Sequence, residues 1–346
     1  MRNFLFTFTF TFIIITGSLF SQIPTGYYDS AEGLEGEGLR EALHNIIDGH
    51  NVVSYTGLWT VYEDSDKRSD GKVWDMYSTC DFTFGSDQCG NYGSICDCYN
   101  REHTVPQSWF NSQSPMVSDA HHVVPVDGKV NGYRSNFSYG ECDSGTTYGT
   151  GKLGSCTYPG YNGTVFEPAD EYKGDFARIY FYTATRYMDV MSNWSGGDSF
   201  SGNNFTDWTR KMLLDWHRND PVSQKEIDRN NAVHDYQYNR NPFIDNPIWA
   251  DAIWDPDYQT SYTQLSNAFI QVYPNPAKEY IEITQTISED NKTSVFISDI
   301  SGRILISTTM KQNAIVDLQS IPQGVYFVII ENSAGKKFTR RIAVID

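Results

Sequence analysis

The chain of 346 residues is long enough for two domains with sizeable cores, and its 26 basic against 43 acidic residues leave a net charge of −17. That balance argues against a surface that captures polyanions through bulk positive charge. Beyond the first residues no stretch is long and apolar enough to cross a bilayer, which excludes a membrane span from the mature protein.

Met1-Arg2-Asn3, the apolar run from Phe4 to Ile15 and Thr16-Gly17-Ser18-Leu19-Phe20-Ser21, which ends on a small residue, read as an export signal over residues 1–21. An exported chain fits the six cysteines, Cys80, Cys89, Cys96, Cys98, Cys142 and Cys156, whose even number suggests disulfides with the pairing left open. Four of them crowd just upstream of Arg101, where cross-links would stiffen the segment that follows. A zinc site built from Cys96, Cys98, His121 and His122 is the rival reading, although Cys-x-x-Cys pairs are missing.

Asn100-Arg101-Glu102-His103-Thr104-Val105-Pro106-Gln107-Ser108-Trp109 comes next, followed by Asp119-Ala120-His121-His122-Val123-Val124-Pro125 and by Val130-Asn131-Gly132-Tyr133-Arg134-Ser135-Asn136. We read these stretches as one active site, because phosphodiester hydrolysis needs an activated water, a cation at the leaving oxygen and positive charge on the phosphate. A neutral His103 can take a proton from water. A hard cation needs only one or two protein oxygens besides the substrate, and Glu102 with the side-chain oxygen of Asn131 would suffice. On an extended segment Glu102 and His103 point to opposite faces and so serve different partners.

Arg134 follows Asn131 by three, so a helix would place both on one side; its competing role is a salt bridge to a carboxylate. Lys129, Arg134, Lys173, Arg178 and Arg186 are the candidates for a basic groove wall. His121 and His122 are expected to be mainly structural, and Glu167, Asp175 and Asp245 to hold loops and helix ends. Helices are predicted over 175–191, 205–218 and 224–238, and the aromatics of Tyr180 to Tyr187 fall at core spacing.

The composition shifts near residue 262, giving a catalytic domain over 22–262, a linker over 263–271 and a small all-β domain over 272–346. Tyr280-Ile281-Glu282-Ile283-Thr284, Ser294-Val295-Phe296-Ile297-Ser298 and Gly324-Val325-Tyr326-Phe327-Val328-Ile329-Ile330 alternate as strands, with turns at Ser301-Gly302 and Ala334-Gly335. From Ala268 onward eight basic and eight acidic residues cancel, so the whole acidic excess falls on the preceding part.

Cys98 to His103, Asp119 to Pro125, Asp127-Gly128-Lys129-Val130-Asn131-Gly132 and Arg134-Ser135-Asn136 together resemble the bacterial secreted endonuclease I family, whose site is a ββα-metal (His-Me finger) motif. The likeness continues through Phe166-Glu167-Pro168, Leu214-Asp215-Trp216-His217 and Asn239-Arg240-Asn241-Pro242-Phe243-Ile244-Asp245. The resemblance implies an α+β, mainly helical nuclease domain in which His103 is the general base, Glu102 and Asn131 hold one divalent cation, and cleavage leaves a 5′-phosphate. Mg²⁺ is the expected cofactor, with Ca²⁺ or Mn²⁺ as alternatives. Some family members carry a basic, Cys-rich insertion after the catalytic His; here Thr104 to Ala120 has no Arg or Lys, so the phosphate arginine must be another, Arg134 or Arg178.

The tail, through Val272-Tyr273-Pro274-Asn275-Pro276, Asp299-Ile300-Ser301-Gly302-Arg303, Gly324 to Val328 and Lys337 to Asp346, resembles the C-terminal sorting domain of type IX secretion substrates. It would act as an address that is removed after export; a carbohydrate-binding or adhesive sandwich is its rival. The expectation is thus a secreted, monomeric, metal-dependent endonuclease acting on DNA, and on RNA as a second candidate, with little sequence preference because contacts fall on phosphates. A secreted zinc hydrolase and a non-enzymatic surface adhesin are the competing classes.

Overall fold

A computed structural model describes residues 23–195, 197–255, 270–285, 293–299, 302–311, 313–331 and 337–345. The predicted export signal, most of the predicted linker and the predicted Ala334-Gly335 turn lie outside them. The chain divides into two compact units, Met1–Asp255 and Pro256–Asp346.

The first unit is α+β. Helices α1 (Gly36–Ile47) and α2 (Leu58–Ser65) lead through the Cys-rich loop to strand β1 (Tyr99–His103), which pairs antiparallel with β2 (Val123–Asp127) in the register Tyr99↔Asp127, Glu102↔Val124 and His103↔Val123. Helix α3 (Gly128–Arg134) follows β2 without a loop. Strands β3 (Ser138–Tyr139), β4 (Gly145–Tyr148), β5 (Gly151–Ser155) and β6 (Thr164–Glu167) form a sheet of order β3-β6-β5-β4, in which only the β3–β6 pair is parallel.

Helix α4 (Lys173–Arg186) is buried along its entire length, as the aromatic spacing predicted, and packs against α1 and, further along the chain, α5 and α7. It ends before the predicted 191. The chain turns at Tyr187, whose hydroxyl is anchored on Asp119 Oδ2 at 2.7 Å. A short hairpin, β7 (Phe200–Ser201) and β8 (Asn204–Phe205), precedes α5 (Asp207–Asn219) and α6 (Gln224–Gln237). The latter begins with a reciprocal cap written locally as Ser-x-x-Glu: Ser223 accepts from the Glu226 amide while Glu226 accepts from the Ser223 amide. Asn241 caps α7 (Pro242–Asp245), with Pro242 at its first position, and α8 (Ile248–Trp254) sets Trp254 against Phe181 at 4.6 Å.

The charge that ties this core together is Asp119, fully buried just ahead of β2. Its carboxylate accepts from the Tyr182 and Tyr187 hydroxyls (2.8 and 2.7 Å), the Gln237 amide (2.9 Å) and the His121 backbone N–H (3.0 Å). An unpaired carboxylate would be expelled from such a place, so the four donors are what allow it there. They fix the start of β2 to α4 and α6.

In the second unit β9 (Ile270–Tyr273) begins inside the expected linker. With β10 (Tyr280–Gln285) and β13 (Asn313–Asp317) it forms a sheet of order β13-β10-β9. Strands β11 (Thr293–Ser298), β12 (Ile304–Met310), β14 (Gly324–Glu331) and β15 (Lys337–Val344) form another of order β12-β11-β14-β15. Every second residue turns inward, so Ile281, Ile283, Val295, Ile297, Val328 and Ile330 meet in one apolar layer between the sheets.

Candidate active site

The β1–β2–α3 stretch converts sequence neighbours into a groove. Asp127 is both the last residue of β2 and the N-cap of α3: Oδ1 accepts from the Lys129 and Val130 amides (2.8 and 2.9 Å), and Oδ2 from the Cys96 amide at 2.7 Å. The carboxylate therefore starts the helix and ties it to the Cys-rich loop. That loop is stapled by Cys80–Cys96 and Cys89–Cys98, and it lays Tyr92 across α3, where Gly128 and Gly132 leave room. Cys142 and Cys156 remain thiols, so among the cysteines the cross-links are confined to the segment supporting β1.

Helix α3 returns over β1, and the Asn131 amide nitrogen donates to Asn100 Oδ1 at 2.8 Å. Arg101, Glu102, His103, Gln107, Asn131 and Arg134 line the resulting groove, about 370 Å³ in volume.

Glu102 is 2 % exposed, and its contacts all fall on one oxygen. Oε1 accepts from the hydroxyls of Tyr77 (2.8 Å) and Tyr139 (3.4 Å) and pairs with Arg134 Nη1 at 2.8 Å. Burial pushes the carboxyl pKa up, and Arg134 with the two phenols opposes it. Tyr77 is itself placed by the β4–β5 turn: Gly149 sits at φ +60°, and a Cβ there would lie 2.1 Å from the Tyr77 carbonyl oxygen. Only glycine permits so close an approach.

A divalent cation is implied by the resemblance, and the donor set suits one. Among the described residues Glu102 Oε2 and Asn131 Oδ1 carry no hydrogen bond, since their sister atoms absorb the local contacts. Two hard oxygens facing one groove match what Mg²⁺ asks of a protein.

His103 lies on the other face of β1, among Tyr55, Phe110 and His122, as strand alternation predicted. Its Nε2 is 3.0 Å from the Val117 carbonyl oxygen, which can only accept, so Nε2 carries the hydrogen and Nδ1 the lone pair. Burial, reinforced by His122, lowers its pKa to about 3, which keeps the ring neutral.

The other predicted residues separate. Arg134 is at the groove but enclosed: besides pairing with Glu102 its guanidinium donates to the carbonyls of His103 (2.9 Å) and Thr104, and it lies over the Tyr139 ring. It clamps the end of β1. Arg178 is not among the groove residues; it is fully buried against both oxygens of Glu226 and the Asp220 carbonyl. Lys173 pairs with Glu141 and Glu167, and Arg186 with Asp48. The basic wall expected from the sequence is thereby corrected: Lys173, Arg178 and Arg186 neutralise buried or neighbouring acids of their own unit, and Lys129, over the Tyr133 ring at 5.1 Å, is not among the groove residues either. His121 and His122 are buried and bonded to the carbonyls of Asn239 and Met116, while Cys96 and Cys98 are in disulfides, which removes the proposed zinc ligands. Glu167 and Asp245 hold loops as predicted, through Cys142, Lys152 and Lys173 for the first and Arg240, Tyr28 and Asn230 for the second. A groove residue that the sequence reading left without a role is Arg101, although it stands two positions before His103 and strand periodicity puts the two on one face.

Comparison with known proteins matches residues 35–248 to the family model described as Endonuclease I, and residues 271–345 to that described as Secretion system C-terminal sorting domain. The extracellular ribonuclease of Bacillus subtilis (strain 168) is 36 % identical over 245 residues, spanning 66 % of this chain and 78 % of its own. Endonuclease-1 of Buchnera aphidicola subsp. Baizongia pistaciae is 30 % identical over 130 residues, 37 % of this chain and 46 % of its own. The extracellular deoxyribonuclease of Aeromonas hydrophila is 27 % identical over 132 residues, 38 % and 50 % respectively.

Proposed function

Since the chain belongs to the endonuclease I family and carries a secretion system C-terminal sorting domain, we propose that it is a secreted, divalent-cation-dependent endonuclease of low sequence preference built on a ββα-metal motif. In this reading β1, β2 and α3 are the motif, and His103 Nδ1 takes the proton of a water that attacks the phosphorus in line with the departing 3′ oxygen, leaving a 5′-phosphate. Glu102 and Asn131 would hold the cation, which when bound supplies positive charge at the leaving oxygen. Arg134 pairs with Glu102 Oε1 and opposes the rise that burial imposes on its carboxyl, and the Val117 carbonyl holds the His103 tautomer. The observation that carries the reading is one groove lined by a neutral histidine, a carboxylate with a free oxygen and an amide oxygen, delivered by opposite faces of one strand and the helix after its partner.

DNA is the first substrate to test. RNA belongs beside it, because the relatives bear both ribonuclease and deoxyribonuclease in their names. The experiment is plasmid nicking and RNA degradation by the full chain, by His103→Ala and after EDTA. Cleavage by the wild type, restored by Mg²⁺ after EDTA and reduced about 10²–10⁴-fold in His103→Ala, is expected. Undiminished cleavage by His103→Ala would put the base elsewhere, and intact nucleic acid with folded wild type would favour a binding protein.

A further inference from the structure

The correction to the basic groove wall leaves a gap in the reaction: an acidic chain must hold a phosphate beside His103, yet Arg134 is enclosed and paired with Glu102, and Lys129, Arg178, Lys173 and Arg186 are not among the groove residues. We infer that Arg101 is the residue that grips a phosphate of the bound strand, with Tyr55 and Trp59 as its mount; the inference rests on the nuclease reading above. Three observations carry it.

First, Arg101 lines the same groove as Glu102, His103 and Asn131 and shares the His103 side of β1. Second, among the described residues it makes no ion pair. One N–H of Nη1 goes to the Tyr55 carbonyl oxygen at 2.7 Å, which leaves most of its five donors unspent. Third, its guanidinium lies 3.6 Å from the centre of the Tyr55 ring and 4.4 Å from that of Trp59. Aromatic faces hold a guanidinium by its flat side, so its N–H edge stays open for the two oxygens of a phosphate.

Tyr55 also stacks on the His103 ring, with centroids 5.9 Å apart and planes 21° apart. One phenol therefore orients both the phosphate grip and the base. In a chain of net charge −17 this local cation does what the overall field cannot. A purely structural arginine would instead be found paired and buried, as Arg134 and Arg178 are.

The test measures binding without turnover: anisotropy of a labelled duplex oligonucleotide with the full chain in EDTA, from about 50 to about 200 mM salt. Each phosphate contact to duplex DNA contributes about 0.9 to the slope of log affinity against log salt. Arg101→Gln is expected to lower that slope by about 0.9, and Arg101→Lys to keep it. If Arg101→Gln fails to fold by circular dichroism, Arg101→Met, which retains the aliphatic contact with Tyr55 and Trp59, is read in the same way. A slope unchanged in the folded neutral variant overturns the assignment, as does a wild type with no measurable duplex binding. Because no cleavage is measured, an unchanged slope beside intact His103-dependent nicking sinks only the phosphate grip, whereas absent nicking with an altered slope sinks only the nuclease reading.

Discussion

At the residue scale, burial separates two arginines that look alike in sequence. Arg134 is enclosed and neutralises Glu102, so Arg134→Met leaves a buried carboxylate without its cation and should cost about 3–5 kcal/mol of stability. Arg101 is half-buried and unpaired, and Arg101→Met should cost under about 1 kcal/mol. Urea unfolding followed by tryptophan fluorescence decides between them, and all eight tryptophans lie ahead of residue 256, so the signal reports the first unit alone. Equal losses in the two variants would contradict the division into a clamp and a phosphate grip. Arg178→Met belongs with Arg134. It should lose stability of the same order by stranding Glu226, while whatever protein stays folded cuts at the wild-type kcat; a kcat loss at full folding would return Arg178 to the site.

At the scale of elements, α3 is the one that matters, since it carries Asn131. Alanine in place of a helical glycine ordinarily stabilises by up to about 1 kcal/mol. At Gly128 the sign reverses, because the new Cβ would lie 2.6 Å from Cδ1 of Tyr92, too close for the ring to stay. Gly128→Ala is therefore expected to reduce cleavage, and removing the obstacle in Gly128→Ala/Tyr92→Ala to restore part of it. A Gly128→Ala variant with wild-type activity would mean that Tyr92 yields freely and does not hold the helix. The same packing explains the disulfides. They brace the loop that supplies Tyr92 and the Cys96 amide, and so act on the Asn131 side of the groove without touching it.

For the whole molecule, acid acts against the first unit through its buried histidines. Burial lowers the His217 pKa to about 4 and the His121 pKa to about 3, against an ordinary value of 6.5. Below pH 6.5 the unfolded chain binds protons at these positions that the folded chain refuses, so their contribution is complete above 6.5 and is lost as the pH falls toward 4 and 3. Each such histidine steepens the loss by about 1.4 kcal/mol per pH unit within its window. Asp75, whose carboxyl burial pushes up to about 7, acts in the opposite sense over the same range, so the histidine share is read as a difference: between pH 6.5 and 4 urea midpoints by tryptophan fluorescence should fall less in His217→Gln than in the wild type. Identical profiles in the two would show that the His217 ring protonates in place.

The sequence alone determined the parts whose signal is local. The run from Asn100 to His103, the Asp127 cap with Asn131 four residues on, the Ser-x-x-Glu start of α6 and the alternating strands of the tail each depend on neighbours within a few positions, where residue type and period decide the geometry. The likeness to the endonuclease I family and to the sorting domain was readable for the same reason, as ordered short motifs. Only the tertiary structure decided which cations are free. Arg101, Arg134 and Arg178 are indistinguishable by type, and what separates them is whether a carboxylate from another element, Glu102 or Glu226, arrives to neutralise them. The cysteine pairs and the reach of Tyr77 to Glu102 were hidden likewise. Such contacts join residues far apart in the chain, and in a buried setting the presence or absence of one partner outweighs every local preference.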